Sequence, residues 1–308
     1  MKLTNTFSWS FSAAADFEIC PRKRYWSKYA AWGGWEAQAP AEARTVYRLN
    51  KMESRHTLMG RATEQAVMWA LREYQAGRTP GVEEIYAAQA RPLLNQAWKE
   101  SKSGLWRQDP KHHVCLHEDY YPHLHPDLPP DWPAQLRAHV LTCITHFLQS
   151  VWPRLDTVTS REEIQLGAPE SFAWEGITVY AVPDYVYRRG DHWHIHDWKA
   201  GRASARHRHQ LAVYALWAHE KHGVPPENIQ CYIEYLHQGH VAMEPGSEEL
   251  LEEARAAIRQ SVADMAAYLN DGDVQRNHPR PREEWDMTPD RRICDRCNFY
   301  ELCRPEFE

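Results

Sequence analysis

Long apolar runs are missing from this 308-residue sequence. No stretch approaches the roughly 20 residues that a membrane-crossing helix needs. The opening "MKLTNTFSWSFSAAADFEIC" has no continuous apolar centre of the kind that drives secretion, so the expected location is the cytoplasm. Excess positive charge is missing too. Lys and Arg number 36 against 42 Asp and Glu, a formal charge of −6. That speaks against bulk attraction to nucleic acid but leaves room for a local basic groove. No G-x-x-x-x-G-K-(S/T) phosphate loop occurs, so any helicase activity must come from a partner protein. No internal repeat is visible.

What is present suits a sizeable core. Apolar residues make up 43% of the chain, and its length fits one large domain or a domain carrying an insertion. There are 14 tryptophans and 18 histidines. Most of the indoles belong in packing, and a few are available to stack on bases. The histidines are scattered, and "HHVCLHEDYYPHLH" and "HPDLPPDWP" read as surface loop rather than as a ligand cluster. Cysteines number seven. In a cytosolic protein, closely spaced cysteines point to metal or redox chemistry before disulfides.

Periodicity places the elements. "AADFEICPRKRYWSKY" reads as a helix broken at Pro21. A helix from about Arg55 to Tyr74 repeats apolar residues at three and four, with Gly77 as its stop. Another spans Glu83 to Lys99, with a boundary or kink at Pro92. Residues 104–131, rich in Pro, His and Asp, read as a long connection that faces a partner. A helix covers about 134–151. Strands follow: "TSREEIQLG", "SFAWEG", "ITVYAVPDYVYRR" and "HWHIHDWK", with a hairpin turn at "RGDH". Then come a helix from about Ser204 to His222, strands "IQCYIEYLH" and "HVAMEP", and a helix from Ser247 to Leu269. The order makes a mixed α/β protein.

The chemistry gathers at Asp184, Asp197 and Lys199. Antiparallel strands can bring Asp184 and Asp197 to one sheet face, where paired carboxylates suit Mg²⁺ or Mn²⁺. Asp197 and Lys199 are two apart and share a face in a strand. Taken alone, Asp-x-Lys is equally an exposed surface pair. In the next helix Gln210 and Tyr214 stand four apart on one side, a stripe that Trp217 and Lys221 extend. An ordinary amphipathic helix would look the same. Glu64, within "MGRATEQAVMWAL", is by itself a solvated helix residue.

Together these residues resemble the PD-(D/E)XK nuclease superfamily, in its RecB-type exonuclease branch. The matching positions are Gly60 with Glu64, then Asp184, then Asp197-Trp198-Lys199, then Gln210 with Tyr214. "SWSFSAAADFEICPRKRYWSKY" is similar to that branch's N-terminal segment. Glu64 stands where the branch often has histidine, and "VPD" stands where glycine often precedes the aspartate. The resemblance implies a restriction-endonuclease-like core: a central mixed sheet flanked by helices. It implies Mg²⁺ or Mn²⁺ on Glu64, Asp184, Asp197 and the Trp198 carbonyl. It also implies that Lys199 positions the attacking water, with Gln210 and Tyr214 in support.

Cys294, Cys297 and Cys303 read C-x2-C-x5-C, and Cys20 makes a fourth thiolate. From the residues alone, four such ligands suit structural zinc or a [4Fe–4S] cluster. The pattern resembles the iron–sulfur members of the family, the AddB nuclease domain and the CRISPR adaptation nucleases, which implies a [4Fe–4S] cluster stapling the two ends. The expected layout is one nuclease domain over 1–308. It has an N-terminal segment 1–75, a helical insertion 76–160, a catalytic core 161–245 and a C-terminal helix with the cysteines, 246–308.

The expected activity is metal-dependent DNA hydrolysis, as an exonuclease on single strands or DNA ends. It would serve in recombination and repair, CRISPR adaptation, or a phage or defence system. Arg22, Lys23, Arg24, Arg202, Arg206 and Arg208 are candidate phosphate contacts. A helicase or another nucleic-acid-processing protein is a candidate partner. The alternative is a nuclease-like DNA-binding or structural subunit of a larger complex with little cleavage of its own.

Overall fold

The structure is a computed structural model and describes residues 3–158, 160–167 and 170–307, without the side chains of Gln165 and Leu166. Two sheets form its centre. The larger has five strands, β2 (Glu162–Leu166), β5 (Tyr185–Arg189), β6 (His192–Lys199), β7 (Ile229–Tyr235) and β8 (His240–Pro245), side by side in that order. β6 and β7 run parallel, and the other neighbours are antiparallel. The smaller joins β1 (Ser8–Ser10), β4 (Ile177–Ala181) and β3 (Glu170–Trp174), with β1 parallel to β4. Thr159, at the head of the expected strand "TSREEIQLG", lies outside the described residues.

One expectation is corrected here. "ITVYAVPDYVYRR" is not a single strand. It breaks at Val182–Asp184 and supplies β4 to one sheet and β5 to the other. Pro183 has no N–H to give a ladder, so the chain turns away at that point. The break puts Asp184 immediately before β5. The β5–β6 hairpin then closes at Gly190, whose φ of +60° is the left-handed region.

The helices cover both faces of the larger sheet. α1 (Phe11–Ile19) is capped by the Ser10 hydroxyl, which accepts from Ala13 N at 3.2 Å. Cys20 follows, and a second helical run starts at Pro21. α2 (Ala41–Asn50) leads into α3 (Arg55–Gln75), whose cap is Ser54. α4 (Arg91–Ser103) begins one residue before Pro92, at the expected boundary. α5 (Trp132–His146), α6 (Arg206–His222) and α7 (Glu248–Ala266) complete the set.

Strand alternation sorts these helices. Trp193 and Ile195 of β6 pack with α6 and α7 in one core, which also takes in the smaller sheet. Trp198, with Tyr185 and Tyr187 of β5, packs with α3 and α5 in another. A third, smaller core joins the N-terminal segment around Trp26 to Phe299 and Tyr300. Residues 104–131 are not a free loop. Cys115, Leu116, His117 and Tyr121 are buried, and Tyr121 donates through its hydroxyl to the Asn298 carbonyl at 3.1 Å. The segment is a buckle over the C-terminal cysteines. Its Pro and His content suggested solvent, but its aromatic rings found a core.

Candidate active site

The β5–β6 hairpin makes the site. Its Tyr185 lies opposite His196. Asp184 directly precedes β5, close enough to Asp197 for the two charges to act on each other, and Asp197 lies on the α6 side of the sheet. Trp198 points the other way. Its ring is buried, with Nε1 3.4 Å from the Met68 sulfur and the ring edge-on to Phe147. Its backbone N–H donates to Asp184 Oδ2 at 2.6 Å, tying the two strands at the carboxylate.

Asp197 is only 2% exposed. Its Oδ1 is held by the Tyr214 hydroxyl at 3.0 Å and by Gln210 Nε2 at 3.3 Å. Gln210 also donates to the Tyr214 hydroxyl at 2.7 Å, and the Val182 carbonyl stands 3.0 Å from that hydroxyl. The four-residue spacing on α6 thus becomes a rigid clamp on one carboxylate oxygen. Lys199 Nζ lies 2.5 Å from the other oxygen, Oδ2. That oxygen is buried and has no partner in hydrogen-bond geometry. Among the described residues, the Lys199 ammonium is what compensates it.

Electrostatics follow from this crowding. Burial, then the neighbouring charges of Asp197 and Glu64, push the Asp184 carboxyl well up. Burial, then Asp197, raises Glu64, and Lys199 partly offsets this. Burial would lower the Lys199 ammonium, but the charges of Asp197, Asp184 and Glu64 win and hold it up. Burial and Asp197 raise the Tyr214 phenol far above its usual range, so it remains a donor.

Glu64 is an exposed residue of α3 whose carboxyl, partly shielded from water, is near enough to feel Asp197 and Lys199. Gly60, one turn earlier, has open space where a Cβ would stand. The donor set fits a hard cation. Three elements each contribute a carboxylate to this region, and Lys199 balances the buried Asp197 Oδ2. The side chains are not gathered as they would be around a bound ion. Among the described residues, no group of three or more His, Cys, Asp or Glu stands at metal-holding spacing. Lys199 is the counter-ion in this arrangement.

One participant was missed. His207 is one turn ahead of Gln210 on α6, and its Nδ1 is 3.0 Å from the Tyr235 hydroxyl. Burial and Lys199 lower it, while Asp197 acts in the opposite sense. The signal was the stripe itself, since His207, Gln210 and Tyr214 are spaced three and four apart. Trp217 and Lys221 do not extend the site. Trp217 is in the core and Lys221 pairs with Glu170.

Cys20, Cys294, Cys297 and Cys303 line one cavity of about 440 Å³ with Trp26, Phe299 and Phe307 among its walls. Trp26 Nε1 lies 3.2 Å from the Cys303 sulfur. Burial pushes the Cys297 thiol up to about 12. The four soft donors share a pocket that joins residue 20 to the chain's other end. Like the carboxylates, these thiols share a region without standing at metal-holding spacing. Cys115, Cys143 and Cys231 are buried outside the cavity.

The basic residues divide. Arg22 is 4% exposed; its Nε donates to the Trp285 carbonyl at 2.7 Å, and Nη1 reaches Glu306 at 2.9 Å. Arg24 is buried, with Nη2 on the Ser8 carbonyl at 3.1 Å. These two serve the fold and are not open phosphate contacts, which corrects that expectation. Lys23 pairs with Asp16, Arg206 with Glu18, and Arg208 with Glu244 and Glu253. Arg202 is exposed and without a partner among the described residues.

A sequence model of the PD-(D/E)XK nuclease superfamily matches residues 8–304, nearly the whole chain. The mixed sheet with helices on both faces fits that family's restriction-endonuclease-like fold. No curated protein matches the chain. No described helix is long and apolar enough to cross a membrane.

Proposed function

The chain belongs to the PD-(D/E)XK nuclease superfamily, and from that membership we propose a divalent-metal-dependent deoxyribonuclease. Its preferred substrate is single-stranded DNA or a DNA end, cut as an exonuclease. The observation that carries the reading is the meeting of two carboxylates and a lysine at the β5–β6 pair: the Trp198 N–H on Asp184, Tyr214 and Gln210 on Asp197 Oδ1, and Lys199 on Asp197 Oδ2.

Glu64, Asp184 and Asp197, with the Trp198 carbonyl, would hold Mg²⁺ or Mn²⁺. When bound, the ion supplies Lewis-acid stabilisation of charge on phosphate oxygens. The chain's own groups do the positioning. Tyr214 and Gln210 fix Asp197 Oδ1, leaving Oδ2 to face the substrate side. Trp198 N–H fixes Asp184. Lys199 keeps its proton, so it acts as a cation that orients the attacking water and opposes charge built up on phosphorus. Biological roles consistent with this chemistry are recombination and repair, CRISPR adaptation, and phage or defence systems. A helicase partner would supply the strand separation that this chain has no phosphate loop to drive.

Cys20, Cys294, Cys297 and Cys303 are proposed to hold a [4Fe–4S] cluster, with structural zinc as the competing occupant. The shared cavity supports a cluster of soft ligands. Anaerobic purification with iron, sulfide and zinc analysis separates the two. One equivalent of zinc without iron or sulfide rejects the cluster.

The central test is cleavage of end-labelled single-stranded DNA with Mg²⁺ or Mn²⁺, with a closed circular strand alongside. Lys199→Ala should lower the rate by about a hundredfold or more, the scale of a lost electrostatic stabiliser. An uncut circle marks an exonuclease. Binding without cleavage by the unmodified protein would favour a nuclease-like binding subunit.

A further inference from the structure

A groove remote from the carboxylates remains unexplained. It encloses about 880 Å³ between α2 and the segment around Arg107–His112. Trp35 stands on its rim, 42% exposed in a protein that buries most of its indoles. Trp32 packs edge-on against it at 5.1 Å, and Trp35 in turn packs on Tyr47 at 5.7 Å.

The placement is built into the chain. A Cβ on Gly34 would come within 2.3 Å of the Ala43 carbonyl and 2.5 Å of Tyr47 Cβ. Only glycine lets the loop lie this close to α2, and that approach presents the Trp35 ring beside the helix.

Four cations line the same groove: Arg44, Arg48, Arg107 and Lys111. Among the described residues none of the four is in an ion pair. Arg48 bonds only the Thr45 hydroxyl, at 2.9 Å, and Arg107 lies over the Trp106 ring at 4.3 Å. The carboxylates in the lining are Glu36 and Asp109, and Asp109 is occupied by His112 at 2.9 Å. In a chain of charge −6, this is a local excess of unneutralised cations around an exposed indole.

An adjoining hollow of about 530 Å³ shares Pro110, Lys111 and His112 with the groove and reaches Arg61 and Gln65. Gln65 neighbours Glu64 on α3. The two hollows share those three wall residues, and the second, which also carries Glu53 and Glu100, is bounded by α3, the helix of the candidate ligand Glu64.

We propose that this groove is a track that binds single-stranded nucleic acid, a base stacking on Trp35 and the backbone phosphates lying on Arg44, Arg48, Arg107 and Lys111. Aromatic rings beside a cationic path are the physical requirement for sequence-independent binding of a single strand: every base has a π-face, and every linkage has a charge. The inference rests on the nuclease reading and deepens it. The strand being cut would be held outside the metal site as well as within it.

The test measures binding of a fluorescent oligothymidylate to the full chain in EDTA, so that nothing is cut, across a range of salt. Trp35→Ala should weaken binding about tenfold, the scale of one lost base stack. Trp35→Phe should restore most of it. Arg44→Ala with Arg48→Ala should flatten the plot of log affinity against log salt by about 1.4, or about 0.7 for each phosphate of a single strand that is no longer neutralised. Melting temperatures control for folding. Affinity and salt slope unchanged in both groove variants overturn the track, even if cleavage depends on Lys199. Failure of the unmodified chain to bind any single strand overturns the track as well. Normal binding with no cleavage in either metal overturns the nuclease reading and leaves the track standing. An oligouridylate arm tells DNA from RNA.

Discussion

Asp184 has a structural liability that its neighbours create. Its carboxyl is pushed up by burial and by Asp197 and Glu64. The charged form is therefore held at a cost to the fold, a familiar exchange of stability for function. Asp184→Asn removes that repulsion and keeps a carbonyl oxygen for the Trp198 N–H. Stability should rise by about 1 kcal/mol in urea denaturation, while DNA cleavage falls to background. A variant both less stable and fully active would contradict the role given to this residue. Lys199 has the opposite position. It is the nearest compensation for Asp197 Oδ2. Its removal strips charge from the reaction and leaves a buried oxygen with nothing.

At the scale of elements, β6 has two working faces. One carries Asp197 and Lys199. The other carries His194, His196 and Trp198 against the rings of Tyr187, Tyr232 and Tyr185. Burial, then the proximity of His196, lowers His194 to about 4. The sign follows directly. Unfolded, this imidazole takes a proton near pH 6.5, and folded only near 4, so the unfolded state binds more protons between those values. Stability should therefore fall as pH drops from 6.5 towards 4. His194→Phe keeps the stack on Tyr187 and removes the titration, and it should flatten the urea midpoint measured at pH 7 and pH 5. An equal fall in both proteins would assign the acid sensitivity elsewhere.

The same scale shows where local pattern stopped being informative. The α6 stripe was readable because a helix repeats at three and four, which put Gln210 and Tyr214 together. The break at Val182–Asp184 was only half readable. Pro183 announced an interruption, yet only the second sheet revealed that β4 and β5 part company there. Residues 104–131 were misread because composition reports average polarity. Which rings are buried depends on the C-terminal segment they meet.

Across the whole molecule, the two ends are tied together by more than the cysteines. Arg22 reaches the Trp285 carbonyl and Glu306. Tyr29 donates to Asn277 at 2.8 Å, and Asn277 donates to the Asn5 carbonyl at 2.8 Å. Arg22→Ala should cost about 2–3 kcal/mol, the lower end for a buried pair because Glu306 keeps access to water. Urea denaturation measures the loss, and limited proteolysis should find the C-terminal segment cut first. A cost near zero would mean that the ends hold without this contact.

The sequence by itself determined the chemistry on offer. Residue types and short spacings, Asp-x-Lys in a strand and Gln-x-x-x-Tyr in a helix, depend on the period of one element and need nothing beyond it. Tertiary structure decided everything that requires two distant segments to meet. The meeting of β5 with β6 brought Asp184 to the Trp198 N–H and the charge of Asp197. The packing of the two ends turned Arg22 and Arg24 from candidate phosphate contacts into buried ties. The close approach at Gly34 set Trp35 on the rim of a basic groove. Those outcomes rest on contacts between residues far apart in the chain, and no local period encodes them.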